Sequence, residues 1–127
     1  MKGYKNIPNF EGYQISRGGD VFDKTKQRHI TITTNKKERK VVSLRNGNKR
    51  KIMLVSRLVA MTWKPCEDME HKHVHHINGD YADNRISNLL WVTPQEHNKE
   101  HQIMREFMNW AVTTKRFQEY REIRLAE

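Results

Sequence analysis

Glycine- and asparagine-bearing breaks interrupt the apolar runs of this chain so often that only small elements fit between them. Phe10 to Ser16 alternates polar and apolar, Arg17-Gly18-Gly19-Asp20 breaks the run, and Val21-Phe22 resumes it. That is a hairpin pattern, with the glycine pair supplying the positive φ of the turn. Ile30-Thr31-Ile32-Thr33 is a further β-branched run, and residues 35–40 read as an exposed turn. Val41 to Leu44 and Ile52 to Val55 are the clearest strands, joined through Asn46-Gly47 by a loop that two residues need not complete. Ser56 then stands as an N-cap for a short helix over residues 57–63, which turns Leu58, Val59 and Thr62 or Trp63 to a core before Pro65 ends it. At 127 residues the chain holds one ordinary domain or one compact domain with an appendage, which excludes scaffolds such as a TIM barrel or a two-lobed kinase. No stretch approaches the 18 apolar residues of a membrane span, and no apolar signal region follows Met1. One cysteine, Cys66, excludes an intramolecular disulfide framework and Cys-x-x-Cys zinc sites, and fits a reducing cytoplasm.

The charge is divided. Residues 1–65 carry 16 Lys and Arg against 4 Asp and Glu, while residues 66–127 carry 8 against 11. The overall +9 is therefore a basic β-rich half beside a mildly acidic one. A cationic face of that density points to a polyanion, and to nucleic acid before a membrane, since no helix there has a wide apolar face. Arg45, Lys49, Arg50 and Lys51 crowd the tip of the clearest hairpin, with Lys36 and Lys37 on the preceding turn. A cationic two-stranded ribbon can lie in a DNA groove, or it can be a solvated hairpin.

Seven histidines are the abundant soft ligands, and five of them fall between His71 and His97. Val74 to Ile77 reads as a strand, so His75 and His76 point to opposite faces and serve different purposes. Asn78-Gly79 and Asp83-Asn84 are turn chemistry, and Leu89 to Val92 is a second short strand. Thr93-Pro94-Gln95-Glu96 is a helix start, with Thr93 as cap, Pro94 in the first helical position and Glu96 completing a capping box. His97 and His101 then share one face of that helix, four residues apart, a pair suited to a metal ion. Asp80 and Asp83 read as structural, His71 and His73 as flanking, His29 as a surface residue and Cys66 as inert packing. Arg85 either contacts a phosphate or closes a loop salt bridge.

His75-His76, Asn88 and His97, with the stretch Asn88-Leu89-Leu90-Trp91-Val92-Thr93-Pro94, resemble the HNH nuclease motif on a ββα-metal fold, as in phage and intron-encoded endonucleases. Tyr4 to Ile7, Phe10 to Ser16, Gly19-Asp20-Val21 and Arg57 to Ala60 more loosely resemble the β-rich module that precedes the motif there. The resemblance implies His76 as the general base, Asn88 as the residue that braces the loop and orients that base, and His75 and His97 as metal ligands. His101 matches a further ligand of colicin-type nucleases. It implies one divalent ion, with Mg²⁺ or Mn²⁺ for turnover, while three imidazoles also suit Zn²⁺, Ni²⁺ or Co²⁺.

The expected fold is α+β: a basic antiparallel β module over residues 1–65, a ββα-metal nuclease core over 66–105 and a helical extension over 106–127. The apolar stripe Ile103, Met104, Phe107, Met108, Ala111 and Val112 marks that extension as a docking helix, ahead of a DNA or partner contact. The expected function is a metal-dependent DNA endonuclease of homing or nicking type, phage-encoded, acting in the host cytoplasm on double-stranded DNA and leaving 5′-phosphate and 3′-hydroxyl ends. An inactive HNH-fold DNA-binding module is the alternative, and an RNA-directed or toxin nuclease a third. The oligomeric state is left open.

Overall fold

In a computed structural model of the protein, residues 2–96 are described. The architecture is α+β. Strands β1 (Tyr4–Asn6), β2 (Tyr13–Ser16), β3 (Val21–Asp23) and β4 (Arg28–His29) form an antiparallel meander in sequence order. A second antiparallel sheet holds β5 (Thr33–Thr34), β6 (Lys40–Asn46) and β7 (Lys49–Leu54). Helix α1 (Val55–Trp63) follows without a loop, and β8 (His73–His76) pairs antiparallel with β9 (Leu89–Val92). Residues 94–96 begin a further helix.

Helix α1 is the hub. Val55, Leu58, Val59 and Thr62 recur at helical spacing and are buried. The helix touches both larger sheets as well as β8 and β9. One continuous core results, running from Ile7, Phe10, Ile15 and Val21 through Val42 and Leu44 to α1 and Leu89. The family of short strands thus shares a single apolar interior with the histidine unit, and the division at residue 66 does not cut that interior in two.

Three local readings change. Ser56 is not the helix cap: β7 runs directly into α1, Leu54 takes the cap position without a side-chain bond, and Ser56 is buried in the first turn. Ile30 to Ile32 is not a strand, because here the chain leaves the first sheet for the second; Ile30 still donates its N–H to Val21 O at 2.9 Å, and Ile30 and Ile32 pack on the core. The β6–β7 loop is as short as a hairpin allows. Asn46 pairs with Lys49, leaving Gly47-Asn48 as the turn, and Gly47 takes φ +67° in the first central position.

Gly19 settles how the first sheet meets the rest. At φ +100° it lies so close to α1 that a Cβ there would sit 2.9 Å from Val55 Cγ1 and 3.5 Å from Asn84 Cβ. Next to it, Arg17 O accepts the Ile86 N–H at 2.8 Å and the Arg17 guanidinium stacks 4.2 Å over Trp63. The β2–β3 turn is therefore seated against the loop that joins β8 to β9. Among the described residues no helix is long and apolar enough to cross a membrane.

Candidate active site

The site is built on β8 and the loop after it. β8 presents His75 and His76 to opposite sides, as adjacent strand residues must be, and both are buried. His76 pairs across the ladder with Leu89 and His75 with Leu90.

The loop over residues 77–88 is closed by Asn88, which is fully buried. Its Nδ2 donates to Asn78 Oδ1 at 3.0 Å and to Asp83 O at 2.9 Å, while its Oδ1 accepts from Asn78 N–H at 3.0 Å. Its backbone carbonyl accepts the Ile77 N–H at 2.9 Å. One asparagine so ties both ends and the middle of the loop. A carboxamide suits this position because it offers donors and acceptors together.

Asn88 does not itself touch His76. The imidazole is held by Asn84, whose Oδ1 lies 2.8 Å from His76 Nε2 and which is also buried. With that oxygen as acceptor, Nε2 carries the hydrogen and Nδ1 the lone pair. Asn88 acts on the base through the loop that carries Asn84. Tyr81 completes the setting, edge-on to the His76 ring at a centroid distance of 5.6 Å. Sequence reasoning read Asp83-Asn84 as turn chemistry and passed over the second residue, because nothing local marks an asparagine that tertiary packing will bury.

Burial pushes the His76 imidazole below the usual histidine range; the Asn84 bond opposes this, Arg39 adds to it, and Asp83 and Asp80 pull the other way. The ring is kept neutral near physiological pH, the form able to accept a proton.

Asp83 and Arg85 form an ion pair within the loop. Arg85 donates through Nε and Nη2 to both Asp83 oxygens at 2.8 and 2.7 Å, so the loop salt bridge is the one formed. That guanidinium holds the Asp83 carboxyl below the usual carboxylate range. Asp80 caps its own turn by accepting the Ala82 N–H at 3.0 Å.

The other basic residues expected to meet DNA fall into two groups. Arg45, Lys49, Arg50 and Lys51 are exposed at the β6–β7 tip, where Arg45 stands directly opposite Arg50. Lys36 and Lys37 are exposed on the turn at the other end of β6. At the rise of an extended strand the two groups stand about 20 Å apart.

His97, His101 and the extension over 106–127 lie outside the described residues. The capping box at Thr93 is formed: Glu96 N–H donates to Thr93 Oγ1 at 3.2 Å and Thr93 N–H to Glu96 Oε1 at 3.4 Å. His75 is a buried imidazole, and imidazole nitrogen is a donor of the kind a divalent transition ion takes. Among the described residues one group brings three ligand atoms within 4.8 Å of one another, namely Asp68, Glu70 and His71. All three are exposed on the connector before β8, and His71 Nδ1 is already bonded to Asp68 Oδ1 at 2.6 Å.

The HNH endonuclease family matches residues 54–99, a segment that opens at α1 and takes in the whole loop just described. This segment belongs to the HNH endonuclease family. The chain is 34% identical over 108 residues to the DNA endonuclease I-HmuI of Bacillus phage SP01, covering 84% of this chain and 60% of that protein. It is 32% identical over 91 residues to an uncharacterized HNH endonuclease of Acanthamoeba polyphaga mimivirus, covering 72% of this chain and 23% of the relative. The chain thus spans about a quarter of the mimivirus relative. The solved structure of DNA binding and cleavage by the HNH homing endonuclease I-HmuI aligns with a TM-score of 0.71 at 29% identity, over 91% of this chain and 68% of that one. The HNH segment and the β module before it therefore share the fold of that homing endonuclease.

Proposed function

We propose that this chain is a metal-dependent DNA endonuclease that cuts one strand of a duplex per engagement. The observation that carries the reading is His76: a buried imidazole held in one orientation by Asn84, on a loop locked by Asn88, inside an HNH segment. The DNA specificity rests on I-HmuI, named as a DNA endonuclease and solved binding and cleaving DNA. The exposed arginines and lysines of β6, β7 and the preceding turn supply phosphate contacts, which position a duplex without reading its sequence.

In this reaction His76 takes a proton from water through Nδ1 as the water oxygen bonds to phosphorus. The bond from phosphorus to the 3′-oxygen breaks, and that oxygen takes a proton from solvent, leaving 5′-phosphate and 3′-hydroxyl ends. Asn84 fixes the tautomer, and the opposite face of β8 presents His75. His75, His97 and His101 are the residues that would hold a divalent ion. When bound, such an ion offsets the charge that builds on the phosphate and on the departing oxygen. Nitrogen donors favour Zn²⁺, Ni²⁺ or Co²⁺ in affinity, while Mg²⁺ or Mn²⁺ is the proposed ion for turnover.

The test uses supercoiled plasmid with the purified chain and a panel of divalent chlorides. Nicked circles are expected with at least one metal and none in EDTA. A chain that shifts plasmid in a gel yet never nicks it with any metal is a DNA-binding module instead.

A further inference from the structure

Arg39 belongs to none of the residue sets above, yet its side chain reaches Tyr81, the neighbour of the base, from the β5–β6 turn. Its backbone is fixed by the β5–β6 turn. Asn35 N–H donates to Arg39 O at 2.9 Å, and Asn35 Oδ1 accepts from both Arg39 N–H at 3.0 Å and Lys37 N–H at 2.9 Å. Glu38 takes a left-handed φ of +64° to close the turn. From there the guanidinium sits over Tyr81, its central carbon 3.8 Å from the ring centroid. Tyr81 in turn meets His76 edge-on. A permanent cation is thereby stacked one aromatic ring away from the proposed base.

Among the described residues that cation is not neutralised. One N–H donates to Lys37 O at 3.3 Å, and no carboxylate pairs with it among the described residues. The acids on the neighbouring loop are engaged elsewhere, Asp83 with Arg85 and Asn78, and Asp80 with Ala82. A guanidinium on an aromatic face keeps its edge donors pointing outward, in a fork that matches two phosphate oxygens.

We propose that Arg39 grips a non-bridging oxygen of the phosphate that is cut, and so registers the β module to His76. The proposal rests on the nuclease reading above. It gives the turn bearing Lys36 and Lys37 a second purpose, since the same turn delivers Arg39 to the site. It also sets the direction of the duplex: from the cut near Arg39, β6 leads to the Arg45–Arg50 tip about 20 Å away, or about six base pairs at 3.4 Å per phosphate.

The experiment measures nicking of supercoiled plasmid by the full chain at saturating protein, and separately duplex binding in EDTA. Arg39→Ala is expected to slow nicking about 100-fold, the cost of losing one preorganised donor, while duplex binding weakens only slightly. Arg39→Lys, which keeps the charge and loses the fork, is expected to recover little. Millimolar guanidinium chloride is expected to restore part of the Arg39→Ala rate and to leave wild type unimproved. Tyr81→Ala is expected to fall further than Tyr81→Phe, which keeps the platform. A wild-type rate for Arg39→Ala, or a loss that saturating protein fully restores, overturns the assignment while leaving the nuclease reading intact. A wild-type chain that nicks nothing overturns both.

Discussion

Two antiparallel strand pairs in this protein are closed by connections of opposite character. β6 and β7 turn in two residues, and the groups around that turn point into solvent. β8 and β9 are joined by residues 77–88, where Asn84 and Asn88 are buried and Asn78, Asp83 and Asn88 bond one another. Arg45 and Arg50 face each other across the first pair, a like-charge rung that costs stability when nothing anionic lies on it. In the second, Asn88 alone satisfies three polar groups of its own loop. The contrast separates two ways of using polar residues. The charges of the first connection face solvent, whereas the amides of the second have internal partners and hold one imidazole still.

The contrast breaks most sharply at His76. His76→Ala is expected to reduce nicking by about 100- to 10,000-fold, the range of a general base, with duplex binding preserved in EDTA. An unchanged rate in a plasmid assay removes His76 as the base. Asn88→Ala is expected next. It forfeits three buried hydrogen bonds worth about 1 kcal/mol each, so denaturant melts should show a loss of about 3 kcal/mol. Asn84→Ala should keep more of the stability but lose about 10- to 100-fold in rate, as an orienting partner does. Equal losses of stability in the two variants would mean that Asn84 is also a loop brace.

At the other connection the expected effect is smaller and of a different kind. Arg45→Ala with Arg50→Ala should leave folding intact and flatten the salt dependence of duplex binding by about two units of slope, one per phosphate contact. A binding constant that falls without any change in that slope would remove the tip from the backbone contacts. The smallest effect separates two histidines. In metal-free protein, NMR titration should place the His76 midpoint below 6.5, since burial disfavours its charged form. The His71 midpoint should lie above 6.5, since Asp68 bonds and attracts its imidazolium. The signs for stability are therefore opposite. The His76 contribution is present above the unfolded midpoint and lost as pH falls, while that of His71 is present at low pH and lost as pH rises through its folded midpoint.

Much of the molecule was legible before folding. The glycine breaks gave the β2–β3 and β6–β7 hairpins, and the spacing of Leu58, Val59 and Thr62 gave the buried face of α1. Ser56 and the run Ile30 to Ile32 misled, because a cap and a strand were each overridden by where the chain had to go next. In the site, strand alternation separated His75 from His76, and the resemblance to the HNH motif marked Asn88 as a brace. Asn84 and Arg39 were not visible. Turn residues and basic turn lysines surround them, and only burial and stacking distinguish them from their neighbours.

The sequence by itself determined what is settled within about four residues: the Thr93–Glu96 capping box, the Gly47 turn and the opposite facing of adjacent histidines. Such features follow from backbone periods and short-range hydrogen bonds, which hold wherever the path of the chain does not override them. The tertiary structure alone decided that Gly19 abuts Val55 and Asn84, that Asn84 holds His76, and that Arg39 reaches Tyr81 from another sheet. These contacts join residues distant along the chain. They exist because one core around α1 draws three sheets together, and close packing then fixes which polar groups meet.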